Sequence, residues 1–465
     1  MKKTNFFPAL ILAALAIINS SLSGCKKDFL DAKPNTNIVV PATLPDFQEL
    51  LDVPGLINQT SSLPQLSCDE YYFIDEAAYQ AGQPTELNAY VWNKDLFGGQ
   101  VARPDWNTPY ASVFYANSVI TGLNGFKVSP TDQQEYNNIL GQAYFVRAFN
   151  FFDLVKNFAP PYDDATAATD LGIPLKLSPN VNTLVQRSTV QQSYAQIIAD
   201  LSNACRLLNP ALASQNLNRA SKPSAYALFA RLYVSMRKYP QAELYADSSL
   251  ALYNTLIDYN TISQTAKTPF TKTNGESLLY SLYAGGYNVP IYNSPDNTSI
   301  DTNLLALYSV NDLRRPIFFT AASAGLIKAK RGYSAGPNVF SGLATDEMYL
   351  IKAECAARRQ DNQTSLQYLN TLLIKRYLKG TYVPYTTGNT PNALALVLKE
   401  RRKELVWRAG LRWDDLRRLN KDGANITLTR VLNGKTYTLP PNSSLYTFPI
   451  PDDEIALSGI QQNIR

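Results

Sequence analysis

Through the middle of the chain, apolar positions recur at intervals of three and four residues. Tyr110, Val113, Phe114, Asn117 and Ile120 fall on one helical face that begins near Asp105. After Ser129-Pro130-Thr131-Asp132, a helix-start signal, come Ile139, Ala143, Val146, Phe149, Phe152 and Leu154. These wrap more than one side, which predicts a helix buried between neighbours, ended at Pro160-Pro161. A third helix is predicted from Thr189, with Tyr194, Ile197, Ile198, Leu201, Ala204 and Leu208 ahead of Pro210. Pro223 and Pro240 sit at first-turn positions of two more, running to Met236 and Leu252. Tyr226, Ala230 and Tyr233 on one and Ala242, Tyr245 and Ala246 on the other mix small and aromatic residues, as a close helix hairpin requires. Met348, Ile351, Ala353 and Ala356, followed across Gln360-Asp361-Asn362 by Leu366, Leu369, Leu372 and Leu373, predict a comparable pair. The expected fold is therefore mainly α, a tetratricopeptide-like helical-hairpin scaffold over about 105–258 and 345–420, without a strict repeat period.

Two stretches break the pattern, 58–103 and 260–345. They are rich in Gly, Pro, Asn, Ser and Thr, and they predict long irregular loops with short strands that form a ligand face. The segment 426–465 carries a hairpin signal at Asn433-Gly434 and is expected to pack on the body. Aromatic rings beside amides and carboxylates suit carbohydrate, because C–H faces stack on rings while hydroxyls meet polar groups. Asp69, Tyr71, Tyr72, Tyr79, Tyr90 and Trp92 form one such set, and Tyr283, Tyr287, Asn288, Tyr292 and Asn293 the other. The ligand-binding candidates are Asp69, Tyr71, Tyr72, Trp92, Tyr283, Tyr287 and Tyr292. Packing loops onto helices is the competing use of the same rings. Trp106 and Trp413, at helical spacing, read as core.

Composition narrows the chemistry. The 465 residues contain no histidine, which removes the usual general base, metal ligand and triad partner. Carboxylate chemistry of the glycosidase kind is what remains for an enzyme. A formal charge of +5 with no basic stripe gives no indication of nucleic acid. Cys68, Cys205 and Cys355 are widely spaced and outside any metal motif, so they read as buried free thiols or one disulfide plus a spare. No metal site and no cofactor are expected. Arg147, Glu400, Arg402, Glu404, Arg412 and Asp415 are charges within apolar helices, where pairing and capping are the expected roles.

At the N-terminus, Lys2 and Lys3 precede an apolar run from Phe6 to Ile18, too short to span a bilayer. Leu22-Ser23-Gly24-Cys25 resembles the bacterial lipobox, which implies a signal peptide over 1–24, acylation of Cys25, and a mature unit over 25–465. More than one acyl chain makes attachment effectively stable.

Four further stretches resemble one family, the SusD/RagB proteins. They are Phe29-Leu30-Asp31, the run from Gly141 to Val155 with Gly172-Ile173-Pro174-Leu175 and Arg187-Ser188-Thr189-Val190, the run from Glu400 to Leu405 with Gly410 to Arg418, and Phe448 to Ile455 with Gln462-Asn463. Two departures stand out: Arg408-Ala409 precede Gly410 where the family usually has an acidic residue, and Ala159 replaces a usual glycine. The resemblance implies a lipid-anchored outer-membrane protein facing the cell exterior. It would bind nutrient, a glycan or a peptide, as a lid on a SusC-like TonB-dependent transporter, and catalyse nothing. A carboxylate-dependent surface glycoside hydrolase and a protein-binding tetratricopeptide-like scaffold are the alternatives.

Overall fold

Among the described residues ten helices of eight residues or more carry the body: α1 (Leu44–Leu51), α2 (Pro104–Leu123), α3 (Gln133–Phe158), α4 (Val190–Leu207), α5 (Lys222–Ser235), α6 (Tyr239–Leu252), α7 (Thr345–Arg358), α8 (Asn362–Leu373), α9 (Ala393–Glu404) and α10 (Leu411–Lys421). The structure is a computed structural model that describes residues 41–465 other than 54, 102, 214, 215 and 288–296. The lipobox with Cys25, Phe29-Leu30-Asp31, Asn288, Tyr292 and Asn293 thus lie outside the described residues. Leu44–Arg465 form one compact unit. Within it, α2 through α8 pack each on the next in chain order, and α9 closes against α7 and α8. This is the hairpin stacking of tetratricopeptide scaffolds.

Local chemistry accounts for these boundaries. Thr189 and Gln192 form a reciprocal cap at the start of α4: the Gln192 N–H donates to Thr189 Oγ1 at 3.1 Å and the Thr189 N–H to Gln192 Oε1 at 2.9 Å. Asp361 accepts from the Thr364 N–H at 3.0 Å and opens α8. On α5 and α6, Ala225, Ala227, Ala230, Ala242 and Ala246 are wholly buried, so the backbones approach closely. The rings of Phe229 and Tyr245 stack 4.2 Å apart between the two helices. α3 is buried around most of its circumference. Its buried cation Arg147 reaches Asp200 of α4 at 2.6 Å and Asn117 of α2 at 2.9 Å.

The loop-rich stretches hold more structure than their periodicity suggested. Leu63–Ser67, Glu76–Gln80 and Pro84–Tyr90 are short helices, started by Pro64, by the Asp75 cap and by the Gln83–Glu86 pair. Helices this short span fewer than two turns, so no spacing pattern can announce them. At Asn433-Gly434 the expected hairpin forms: Leu428–Leu432 pairs antiparallel with Lys435–Leu439 across left-handed backbone, φ 49° and 72°. Among the described residues Cys68, Cys205 and Cys355 are free thiols.

Candidate functional site

Two irregular segments far apart in sequence meet on the helical body. Gln59–Thr60 runs parallel to Leu282–Tyr283, and Tyr71–Phe73 pairs antiparallel with Thr298–Ile300, Tyr72 opposite Ser299. Ser299 Oγ in turn donates to the Ile327 carbonyl at 3.2 Å and accepts from the Ile327 N–H at 3.1 Å. Asp105, in the first turn of α2 and wholly buried, anchors both segments. It accepts from Ser61 Oγ at 2.8 Å, the Ser62 N–H at 2.7 Å and Tyr287 Oη at 2.7 Å. Asp153 of α3 accepts from the Ser61 N–H at 2.8 Å. Sequence reading missed these anchors, although a carboxylate in the first turn of a helix, as at Asp105, is a signal of a kind.

The structure separates the rings named from sequence. Tyr71, Trp92, Tyr283 and Tyr287 are 3%, 4%, 0% and 1% exposed. For these four the expected stacking surface gives way to packing. The Arg430 guanidinium, sent in by the C-terminal hairpin, lies 3.7 Å from the Tyr90 ring centre, 5.0 Å from that of Trp92 and 5.2 Å from that of Tyr71. Cation–π contact occupies the faces a sugar would need. Trp92 Nε1 also donates to the Ser67 carbonyl at 2.9 Å, and Tyr71 Oη to the Leu66 carbonyl at 2.7 Å. Asp69 is bonded by Arg412 at 2.7 Å and Arg402 at 3.0 Å. Burial works to raise its carboxyl, but the two arginines, Arg412 foremost, outweigh it and hold the group well below the usual carboxylate range. Tyr72 alone of the described candidate rings is half-buried, on the other side of its strand from Tyr71 and Phe73.

A separate concavity of about 450 Å³ opens just beyond the C-terminal end of α3. Its walls are the chain after α3 (Pro160, Pro161), Thr169 to Leu171, the end of α10, and the 442–447 and 461–464 segments. No sequence pattern pointed to it. Arg417 of α10 contributes to the lining and is 6% exposed. Its Nη2 donates to the Ala159 carbonyl at 2.5 Å, while its Nε has no hydrogen-bond partner.

Elsewhere, buried carboxylates face arginines. Glu276, Asp346 and Glu404 bring ligand oxygens within 4.8 Å of one another. Their charge is already answered: Arg376 bonds Glu276 at 2.8 Å and Glu404 at 2.7 Å, Arg408 bonds Asp346 at 2.5 Å, and Arg314 bonds Glu404 at 3.1 Å. Tyr333 Oη donates to Glu276 as well. Such a set is a charge-compensated core cluster, with no deficit for a cation to fill.

Two family models match the sequence. One, described as starch-binding and associating with the outer membrane, matches residues 28–234, and that of the SusD family matches residues 345–464. The chain belongs to the SusD family. No curated protein sequence matches it. Among solved structures, a putative sugar binding protein from Bacteroides vulgatus ATCC 8482 superposes with a TM-score of 0.73 at 20% identity, over 91% of this chain and 99% of that one. A SusD superfamily protein from Bacteroides thetaiotaomicron VPI-5482 gives 0.73 at 22% identity, over 91% and 100%. One from Bacteroides fragilis gives 0.72 at 19%, over 90% and 99%. At such identity these likenesses establish the fold.

The motif residues that carry the SusD-family resemblance are structural. Glu400 and Glu404 face Arg314, Arg401 faces Asp415, and Trp413 is wholly buried, stacked on Phe448 at 5.7 Å. Gly410 has φ 80°, and a Cβ there would stand 2.2 Å from Pro64 Cβ. Only glycine allows the turn into α10 to touch the Leu63–Ser67 helix. Arg408, where this chain departs from the family pattern, is the partner of Asp346.

Proposed function

We propose that this protein captures a nutrient glycan or oligosaccharide at the cell surface and passes it to a SusC-like TonB-dependent outer-membrane transporter. Acylated Cys25 would be its only attachment to the membrane. Among the described residues no helix is long and apolar enough to cross one. The observation that carries the reading is the loop-built face: two remote segments are laddered together and pinned by Asp105 and Asp153 on a rigid helical body, as a preformed binding surface requires. Tyr72 is the ring we assign to that surface, with the family's starch-binding description and the sugar-binding title of a structural relative as support.

Capture without chemistry fits the carboxylates. Glycoside hydrolysis needs two acids flanking a cleft, whereas Glu276, Asp346 and Glu404 are buried and neutralised by arginine. Calorimetry of the full chain against neutral and acidic oligosaccharides and peptides, with product analysis of the same mixtures, tests the reading. Saturable glycan binding without turnover is expected, together with co-purification of a β-barrel transporter from solubilised outer membranes. Turnover, or binding of peptides alone, would overturn it.

A further inference from the structure

We infer that the concavity beside α10 is a second ligand site, selective for a sugar residue bearing an oxyanion, carboxylate or sulfate, with Arg417 as the anion-recognising group. The sugar part of this inference rests on the glycan reading above; the anion part rests on Arg417 itself.

Burying a guanidinium is costly unless its charge is met. Around α7, α9 and α10 most other deeply buried arginines meet carboxylates: Arg231 with Glu347 at 2.5 Å, Arg376 with Glu276 at 2.8 Å, Arg408 with Asp346 at 2.5 Å and Arg418 with Glu354 at 2.6 Å, whereas Arg430 is met by carbonyls and aromatic rings. Arg417 meets none among the described residues. One carbonyl is bonded to Nη2, Nε is buried without a partner, and the side chain as a whole contributes to the cavity lining. Burial accordingly lowers the proton affinity of this guanidinium, with Tyr194 and Asp414 offsetting it only in part. Behind the same wall, Arg187 spends its donors on neutral oxygens: the carbonyls of Gly172, Leu171, Phe158 and Gln461, and the side chain of Asn463. Burial lowers its pKa to about 10. Two guanidinium groups without a carboxylate partner thus stand at or behind the cavity wall, and an oxyanion with paired oxygens suits a guanidinium fork.

Two charges at the rim temper the site. Lys421 is shared with Asp163 at 3.3 Å, and Asp170 accepts from Thr166 Oγ1 at 2.6 Å. The 450 Å³ volume takes one or two sugar residues. Exposed Ser444 and Thr169 offer hydroxyls at the mouth, whereas the amides of Asn420, Gln462 and Asn463 are engaged in the fold.

The test is calorimetric titration of the full chain with galacturonate, galactose 6-sulfate, galactose and acetate. Galacturonate or the sulfate should bind roughly tenfold or more tightly than galactose and than acetate. Arg417→Gln should remove that preference, and Ser444→Trp, an exposed position on the cavity wall, should block the acidic sugar while leaving Arg417 in place. If Arg417→Gln does not fold, Ser444→Trp decides alone. Equal binding of galactose and galacturonate, acetate binding as tight as the acidic sugars, no binding of either acidic sugar, or full binding by Ser444→Trp each overturns the inference; the last two mean that water alone solvates Arg417. A chain that binds neutral oligosaccharides but no acidic sugar fails only this inference, whereas one that binds no glycan at all fails the functional reading itself.

Discussion

Arg417 and Arg418 are neighbours on α10, both buried, and they live in opposite environments. Arg418 is bonded to Glu354 at 2.6 and 2.8 Å and to Asp415 at 2.8 Å, whereas Arg417 faces a carbonyl and a cavity. Arg418 belongs to a belt of buried ion pairs linking α7, α9 and α10, in which each partner depends on the other for its solvation. Arg417 belongs to a surface whose solvation is unfinished. A buried charge by itself therefore says little about function, and its complement has to be counted.

Removing one member from the belt should have the largest effect. Arg376→Met leaves Glu276 and Glu404 without the guanidinium that bonds both at 2.8 and 2.7 Å. The expected loss is about 3–5 kcal/mol, read by urea unfolding, or failure to fold. Arg417→Met in the same experiment strands no ionised partner, only the Ala159 carbonyl, and should cost less than about 1.5 kcal/mol. Equal losses would abolish the distinction between belt and pocket. Trp92→Ala comes next. It deletes a buried ring, its N–H bond to Ser67 and a wall of the Arg430 cage, at a cost of about 3–5 kcal/mol in thermal or urea melts.

Much of the scaffold was legible because its signals are local. The Thr189 cap, the prolines at 223 and 240, and the leucines of α8 each act within a few residues, and the helices lie where they point. The pairing roles of Arg147, Arg402, Arg412 and Asp415 were readable too, because charge inside an apolar helix has few alternatives. Aromatic loops carry no such constraint. Whether Trp92 is wall or platform depends on Arg430, 338 positions onward in the chain at the other side of a hairpin, and no spacing records that. The Arg417 cavity is equally silent in sequence, since an arginine with a partner and one without are written alike.

Glu70 gives a pH-dependent version of the contrast. Burial raises its carboxyl to about 7, although Gln65 Nε2 and the Trp407 N–H both bond it, at 2.8 and 3.1 Å. The folded chain then keeps a proton that the unfolded chain releases near 4.5, so this group's contribution is full below that pH and is lost as pH rises to about 7. At about 1.4 kcal/mol per pKa unit, the loss is about 3.5 kcal/mol at most. Neighbouring Asp69 and the paired Glu347, Glu354 and Asp415, all held low by arginines that outweigh burial, act in the opposite sense and at more acidic pH. Glu70→Gln should flatten the difference in urea stability between pH 5 and pH 8, because an amide accepts the same two bonds without titrating. An unchanged difference would show that Glu70 is ionised throughout.

The smallest expected effect on stability belongs to Tyr72. Its strand partner is Ser299, and its ring is half-buried on the side of the strand opposite Tyr71 and Phe73, away from the Arg430 cage. Truncation removes little buried area and leaves the backbone ladder intact, so Tyr72→Ala should lower stability by less than about 1 kcal/mol. If the ring stacks against sugar, the same change should weaken a neutral oligosaccharide found in the panel by about 1 kcal/mol or more, close to tenfold in Kd. Trp92→Ala supplies the control in the other direction, with a large loss of stability and an effect on binding that follows from it. Measuring melts and titrations on both variants separates packing from contact within a single strip of loop. Should Tyr72→Ala leave the affinity of that oligosaccharide unchanged, the ring has no part in the surface. The ligand would then have to be sought elsewhere on the loop-built face, or in the Arg417 cavity.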